Sequence, residues 1–204
     1  MKARDLIAEL VALSLTPLLR AAGFKKTAFS FHRRLGDVVQ LVNVQLSGSN
    51  SGEQGSFYIN VGLSFDRVCL LEGKPVNLKP KEFECQFQRR LEELLPSLPD
   101  RWEFSTEAES HLHAKPLHSA CEQLLRALNQ IDSIEHFLEL SWLQYGSDLG
   151  LRAQMHFILG DQQAAIHALQ QEQDFFRDRP NWKLDYWLDQ RGLTNLRSHF
   201  TGTG

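Results

Sequence analysis

One stretch of the chain decides the fold, and it reads Phe57-Tyr58-Ile59-Asn60-Val61-Gly62-Leu63-Ser64-Phe65. Large apolar side chains occupy every second position, and smaller or polar side chains lie between them. Because successive side chains of a β-strand point to opposite faces, this period of two predicts a strand with one face on a core. The other face carries Tyr58 and Asn60, whose polar groups are suited to recognition.

The segment on the N-terminal side of this strand predicts a β-hairpin. β-Branched and aromatic residues are frequent at positions 29–31 and 38–46, on either side of a turn at Leu35-Gly36-Asp37. Residues 47–55 are almost all Ser, Gly, Asn, Glu and Gln, a composition typical of an exposed loop. The three strands are therefore predicted to form a small antiparallel meander.

Helical spacing surrounds the predicted sheet. Leucines recur at helical spacing between Ala3 and Ala22, and Gly23 follows as a left-handed cap. Residues 101–106 predict a short extra strand. A further helix that ends before Pro96 is predicted by the spacing of Phe83, Phe87, Leu91, Leu94 and Leu95.

From about Pro116 onward the apolar periods are helical. Small residues around a Gly160-Asp161 turn are typical of two closely packed antiparallel helices, and a single αα-hairpin is predicted there. The predicted fold class is α+β, with an N-terminal helix packed on a small antiparallel meander sheet, followed by a C-terminal helical bundle. Residues 1–110 are predicted to form the sheet domain and residues 111–204 the helical region.

The composition restricts the class of protein. Hydrophobic residues make up 42% of the chain and charged residues 23%, which indicates a globular protein with an ordinary core. A formal net charge of −3 makes nucleic-acid binding a third and weaker hypothesis. The three cysteines are widely spaced without a CxxC pair, which predicts reduced thiols and a cytoplasmic location. No stretch reaches the roughly 20 apolar residues of a membrane span, so no membrane association is predicted.

Several short motifs in the N-terminal half occur in a characteristic order. They are Gly23-Phe24-Lys25-Lys26, the run from Gly36 to Gln45, Phe57-Tyr58-Ile59-Asn60-Val61-Gly62, and a last block with Cys85, Arg89-Arg90 and Asp100-Arg101-Trp102. Together they resemble a bacterial domain family of unknown function catalogued under number 4304, over roughly residues 1–105. The resemblance implies an α+β sheet domain and supplies no activity. Where the closing motif of the family has a tryptophan pair, this chain has Arg101-Trp102.

Polar side chains of matching parity predict a binding patch on the sheet. Asn43 and Gln45 on the second strand share a face with Tyr58 and Asn60 on the third, given a suitable register. Amides recognise peptides well, and arginine binds anions. The candidate ligand- or partner-binding residues are Arg33, Asn43, Gln45, Tyr58, Asn60, Arg90 and, from the closing motif, Trp102. The alternative is a solvated face on which Arg89 or Arg90 anchors a loop.

The sequence offers few groups for catalysis. An HxH pair at His111 and His113 has no third ligand at an obvious spacing, so both are interpreted as exposed linker histidines, and no metal or cofactor is predicted. Neither a nucleophile motif nor a phosphate-binding glycine loop is present. Cys85 lies in the apparent helical pattern and is interpreted as a small core residue.

Two functions are consistent with these patterns. The favoured one is an intracellular protein that binds a protein or peptide partner through the polar sheet face or the helical half. The alternative is a small enzyme acting on an anionic small molecule, with Arg33 or Arg90 as the clamp and Tyr58 or a histidine as acid or base. Aromatic residues near the C-terminus, including Trp182, Tyr186 and Trp187, are interpreted as core or as an interface that would permit a homo-oligomer.

Overall fold

The structure is a computed structural model that describes residues 2–142, 148–176 and 183–200. The strands are β1 (Lys25–Thr27), β2 (Ser30–Leu35), β3 (Val38–Leu46), β4 (Gly55–Phe65), β5 (Phe87–Arg90) and β6 (Trp102–Phe104). The helices are α1 (Ala3–Ser14), α2 (Thr16–Ala21), α3 (Asp66–Leu71), α4 (Leu91–Leu94), α5 (Glu107–Leu112), α6 (Ala114–Leu128), α7 (Ile134–Leu138), α8 (Asp148–Ile158), α9 (Gln162–Phe176) and α10 (Leu184–Gln190). Two 3₁₀ turns cover Glu82–Glu84 and Thr194–His199.

The sheet confirms the predicted antiparallel meander and extends it. The strand order is β1-β2-β3-β4-β5, and β6 pairs with the other end of β4. The hairpin turn is where the sequence predicts it, because Leu35 pairs with Val38. The predicted extra strand is confirmed as β6, and the α+β class is confirmed as a whole.

The apolar residues of β4 face α1 and α6. Phe57, Val61 and Phe65 are buried in one cluster with residues of both helices. Burying a side chain of this size contributes about 1.5–3 kcal/mol. We call this side of the sheet the inner face and the opposite side the outer face. Since the inner-face cluster includes α6, the main core draws on both sides of position 110, and the division of the chain there stays a prediction.

The predicted first helix is interrupted. The structure ends α1 at Ser14 and begins α2 at Thr16, with Pro17 in the first turn of α2. A proline has no N–H to donate to the preceding turn, and its ring collides with the carbonyl four residues earlier. The chain therefore stops one helix and starts another. Gly23 adopts φ +88°, as its predicted capping role requires.

The helix predicted between Phe83 and Leu95 is wrong. The segment forms a 3₁₀ turn, strand β5 and only a four-residue helix, α4. Strand β5 pairs with β4, where Phe87 lies opposite Leu63. The unpaired edge of β4 thus overrides the local helical spacing, because backbone N–H and C=O groups on a buried strand require partners. Cys85 follows the 3₁₀ turn and lies outside any helix, although it is buried as predicted.

The second half of the chain is helical, as predicted, within the described residues. Helices α8 and α9 form the predicted αα-hairpin, and Gly160 takes φ +82° between them. Asp161 caps α9 by accepting the Ala164 N–H through its carboxylate, at 3.0 Å. This hairpin and α10 share a second, smaller core. In the described part of the chain, no helix is long and apolar enough to cross a membrane.

The β2–β3 turn fits directly against the end of the α6–α7 connection. Asp37 donates its N–H to the Asp132 carbonyl at 3.0 Å. A Cβ atom at position 36 would collide with that same carbonyl oxygen, and Gly36 has φ +57°. Glycine is therefore required at position 36 for two reasons, the positive φ angle and the close approach of the Asp132 carbonyl. The contact joins the tip of the hairpin to a segment almost a hundred residues later in the chain.

Candidate binding face

The outer face of the sheet brings together five of the predicted binding residues. In the register of β3, β4 and β5, Asn43 lies opposite Asn60, Gln45 lies opposite Tyr58, and Asn60 lies opposite Arg90. Side chains at directly paired positions share a face. We call Asn43, Gln45, Tyr58, Asn60 and Arg90 the polar patch.

Asn60 organises the polar patch from beneath. Its side chain is 3% exposed, and its Nδ2 group donates to Gln45 Oε1 at 2.9 Å and to Glu82 Oε2 at 2.8 Å. Both amide hydrogens are therefore used inside the protein. Burial raises the pKa of Glu82, an effect that the Asn60 hydrogen bond and the Arg90 charge oppose. Asn60 is consequently a positioning residue for its neighbours.

The two amides of β3 are oriented by their neighbours. Asn43 donates its Nδ2 to Ser30 Oγ at 2.8 Å, which leaves its carbonyl oxygen as an acceptor toward solvent. Gln45 uses its carbonyl oxygen to accept from Asn60, which leaves its NH₂ group as a donor. The two residues stand two positions apart on one strand, about 6.6 Å along it. One acceptor and one donor at this spacing match the repeat of an extended peptide backbone.

Arg90 supplies the positive charge of the polar patch. Its guanidinium lies 4.1 Å from the centroid of the Tyr58 ring, and the residue is exposed. Stacking of this kind fixes the plane of the guanidinium and leaves its N–H groups directed outward. Among the described residues, no carboxylate oxygen lies within the 4.0 Å ion-pair distance of it. Arg90 can therefore bind a carboxylate with two parallel hydrogen bonds.

The structure places Arg33 away from the polar patch. Its guanidinium lies on the inner-face side, where it donates to Gln40 Oε1 at 2.7 Å and to the Ala22 carbonyl and Asn129 Oδ1, each at 2.8 Å. Gln40 in turn donates to the carbonyls of Leu128 and Ile131. Burial lowers the pKa of Arg33. These contacts tie β2 and β3 to the end of α6.

Trp102 also lies apart from the polar patch. It is 2% exposed, and its ring is parallel to that of Phe57, with centroids 6.3 Å apart. Since Phe57 belongs to the inner face, Trp102 packs in the main core. The alternation of side chains along β4 accounts for this position. A ring that packs beside Phe57 lies on the inner face, whereas Tyr58 lies on the outer face.

Glu82 and Ser30 are members of the site that the sequence did not indicate. Glu82 lies in the 3₁₀ turn before β5, a segment that the sequence assigns to a helix. Ser30 begins β2 and pairs with Asn43. A register that aligns Asn43 with Ser30 follows from a two-residue hairpin turn, so the turn at Gly36-Asp37 is the signal that could have found it.

The histidines and thiols lie outside the polar patch. His111 lies within α5, so the linker interpretation is wrong for it, whereas His113 lies in the turn that connects α5 and α6. His113 bonds the Glu103 carbonyl through Nε2 at 2.7 Å. In residues 2–142, 148–176 and 183–200, no group of three His, Cys, Asp or Glu side chains could hold a metal. Burial raises the pKa of Cys85 and of Cys121 to about 12, so both remain protonated thiols at neutral pH.

Comparisons with known proteins identify one family. A family model described as a domain of unknown function (DUF4304) matches residues 15–135. The match confirms the resemblance of the N-terminal half and carries it through α6 to the start of α7. Neither a curated protein nor a solved structure matches the chain.

Proposed function

The chain belongs to the DUF4304 domain family, and since that description assigns no activity, we propose a function from the site: binding of a protein partner through an extended, acidic peptide segment on the polar patch. The observation that carries the proposal is Arg90, stacked on Tyr58 beside two oriented amides, with no carboxylate of the described residues within 4.0 Å of its guanidinium. Each of these groups is complementary to a different part of a peptide.

Backbone recognition comes from β3. The Asn43 carbonyl oxygen would accept a peptide N–H, and the Gln45 NH₂ group would donate to a peptide carbonyl. An extended peptide repeats these groups every two residues, so the spacing on β3 fits without distortion. Because both amides are already held by Asn60 and Ser30, little conformational entropy is lost when the peptide binds.

Selection for an acidic residue comes from Arg90. A carboxylate from Asp or Glu would satisfy its outward N–H groups, whereas a lysine would meet a like charge. The partner segment that fits is therefore extended, with one acidic side chain over β5.

The chemistry of the polar patch supports binding over catalysis. The amides and the guanidinium exchange no proton at neutral pH. The alternative enzyme hypothesis requires a general acid or base beside Arg90, and Tyr58 and Glu82 are the groups that would have to supply it. We further propose that the protein acts in the cytoplasm, which is supported by three free, buried cysteines, Cys69, Cys85 and Cys121.

The test is selection of a random peptide library on the immobilised full chain. Enriched peptides are expected to contain Asp or Glu, and their affinity is then measured by fluorescence anisotropy with the acidic residue intact or replaced by its amide. Arg90→Ala is expected to weaken the acidic peptide by at least about tenfold, since a charged hydrogen bond contributes about 1.5–3 kcal/mol. Asn43→Ala is expected to weaken both peptides equally.

Arg101→Ala is the matched control, because Arg101 is a half-exposed arginine that pairs with Glu103 outside the polar patch. The proposal fails if the two arginine variants behave alike, or if selection enriches peptides with no acidic preference. It also fails if the selected peptides are turned over by the protein in a way that depends on Arg90, which would favour the enzyme hypothesis.

A further inference from the structure

A second site lies beyond the other end of the outer face. The segment 74–86, α3 and the end of α10 enclose a cavity of about 650 Å³. Its lining includes Glu72, Lys74, Phe83, Gln86, Trp187 and Arg191. Cavities of this size are typical of sites for small organic molecules. We propose that it binds a small organic carboxylate with an apolar or aromatic body, held by Arg191.

A buried frame fixes Arg191. Gln154 on α8 is fully buried, and its carbonyl oxygen accepts from Arg191 Nη1 at 3.1 Å. The Nε2 group of Gln154 donates to the Arg191 main-chain carbonyl at 3.0 Å and to Glu72 Oε1 at 2.9 Å. The Trp187 ring lies 4.7 Å from the guanidinium carbon. Side chains of α8 and α10 thus hold the guanidinium in place before any ligand arrives.

Most donors of Arg191 have no partner inside the protein. A guanidinium has five N–H groups, and within the described residues Gln154 is the one hydrogen-bond acceptor of its side chain. In the same part of the chain no carboxylate lies within 4.0 Å of its nitrogen atoms. A desolvated cation with spare N–H groups at a cavity wall favours an anion of planar geometry, which is a carboxylate.

The nearby acidic groups are already engaged. Glu72 receives the Lys74 ammonium at 2.8 Å in addition to Gln154. Glu84 accepts the Lys81 N–H at 2.7 Å and the Asn77 amide at 3.3 Å. Their negative charge is therefore partly satisfied by protein donors. Glu172 on α9 also attracts the Arg191 charge, but it is 1% exposed and does not line the cavity. Arg191 is therefore the charged group of the lining best placed to receive a ligand anion.

Part of the lining is apolar. Phe83 is 72% exposed and lines the cavity with Pro75 and Pro80. Val76 and Leu78, on the same segment, are also exposed. An exposed aromatic side chain next to further apolar side chains marks a contact surface more often than it stabilises a fold. The ligand that fits this lining has a carboxylate for Arg191 and an apolar body for Phe83 and the two prolines.

Phenylacetate is a suitable probe, and phenylacetamide is its neutral match. Titration calorimetry or ligand-observed NMR with the full chain is expected to give a dissociation constant on the order of 1 mM or tighter for phenylacetate. Phenylacetamide is expected to bind at least tenfold more weakly. Arg191→Met is expected to remove the difference between the two compounds.

Arg191 also anchors α10, so a second variant keeps the test independent of folding. Phe83→Ser removes an exposed side chain and is expected to weaken both compounds about equally, whereas Phe175→Ser, at an exposed phenylalanine outside the cavity, leaves both unchanged. Arg90→Ala is expected to leave phenylacetate binding intact, which separates this site from the polar patch. Equal affinity for the two compounds, no binding of phenylacetate, or identical effects of the two phenylalanine variants would overturn the proposal.

Discussion

Replacing Glu172 with glutamine is expected to stabilise the protein at pH 8 and to change its stability much less at pH 4.5. Glu172 lies on α9, is 1% exposed, and has one carboxylate oxygen, Oε2, without a hydrogen-bond partner. Burial raises the pKa of this carboxyl from 4.5 to about 7, although Arg191 and a hydrogen bond from Trp187 act in the opposite direction. The folded protein therefore disfavours the charged form.

The direction in which stability changes with pH follows from the protons that the folded and unfolded states bind. Between pH 4.5 and pH 7 the folded state holds a proton on Glu172 that the unfolded state has lost, so the free energy of unfolding falls as the pH rises. Each pH unit in this interval corresponds to about 1.4 kcal/mol, and the whole interval to about 3 kcal/mol. Glutamine resembles the neutral carboxyl and avoids this loss.

Urea unfolding of the wild-type protein and of Glu172→Gln, followed by circular dichroism at several pH values from 4.5 to 8.5, measures the effect. The difference in free energy of unfolding is expected to grow by about 3 kcal/mol in favour of the variant and to level off above pH 7. Glu9→Gln, at an exposed position of α1, is the control and is expected to show no such trend. A difference that stays constant across this range would refute the argument, because it would mean that Arg191 keeps the buried carboxylate ionised.

Three further changes test the packing of the sheet, each by urea unfolding. Gln40→Leu is expected to cost at least about 3 kcal/mol, because it removes one of the acceptors of Arg33 and the amide that donates to the Leu128 and Ile131 carbonyls, and a loss below 1 kcal/mol would contradict this role. Gly62→Ala places a Cβ atom 2.7 Å from Cys85 Sγ and is expected to cost about 1–3 kcal/mol; adding Cys85→Ala should recover much of the loss, and no recovery would locate the strain elsewhere. Trp102→Ala is expected to cost about 3–5 kcal/mol, and retention of full stability would show that Trp102 does not belong to the core.

Strands, turns and helices could be predicted wherever the spacing of apolar residues and glycines within the element itself determines its structure. The alternation from Phe57 to Phe65 predicts β4, and the glycine-containing turns predict the hairpin at Gly36 and the helical pair at Gly160. In each case the burial of one face follows directly from the spacing of the residues. The same alternation brought Tyr58 and Asn60 to one face, which is why part of the polar patch could be predicted.

Non-local pairing explains what could not be predicted. Phe87 and Leu91 have helical spacing, yet the free edge of β4 draws residues 87–90 into a strand. The local sequence does not distinguish Arg33 from Arg90 as a candidate for the binding face. The register of β2 and β5 places the two side chains on opposite faces of the sheet. No sequence pattern indicated a binding site at Arg191, because the orientation of its side chain depends on Gln154, almost forty residues earlier.

The contact between Gly36 and Asp132 has a consequence for the growing chain on the ribosome. Strands β2 to β4 are complete long before α6 and Asp132 are synthesised, and translation adds roughly 5–20 residues per second. For several seconds the inner face of the sheet is therefore covered by α1 and lacks α6, with Phe65 and Val61 open to chaperones or to another nascent chain. The Asp37 N–H finds its acceptor only once Asp132 has been synthesised, so the hairpin tip is completed by a residue from almost a hundred positions later in the chain.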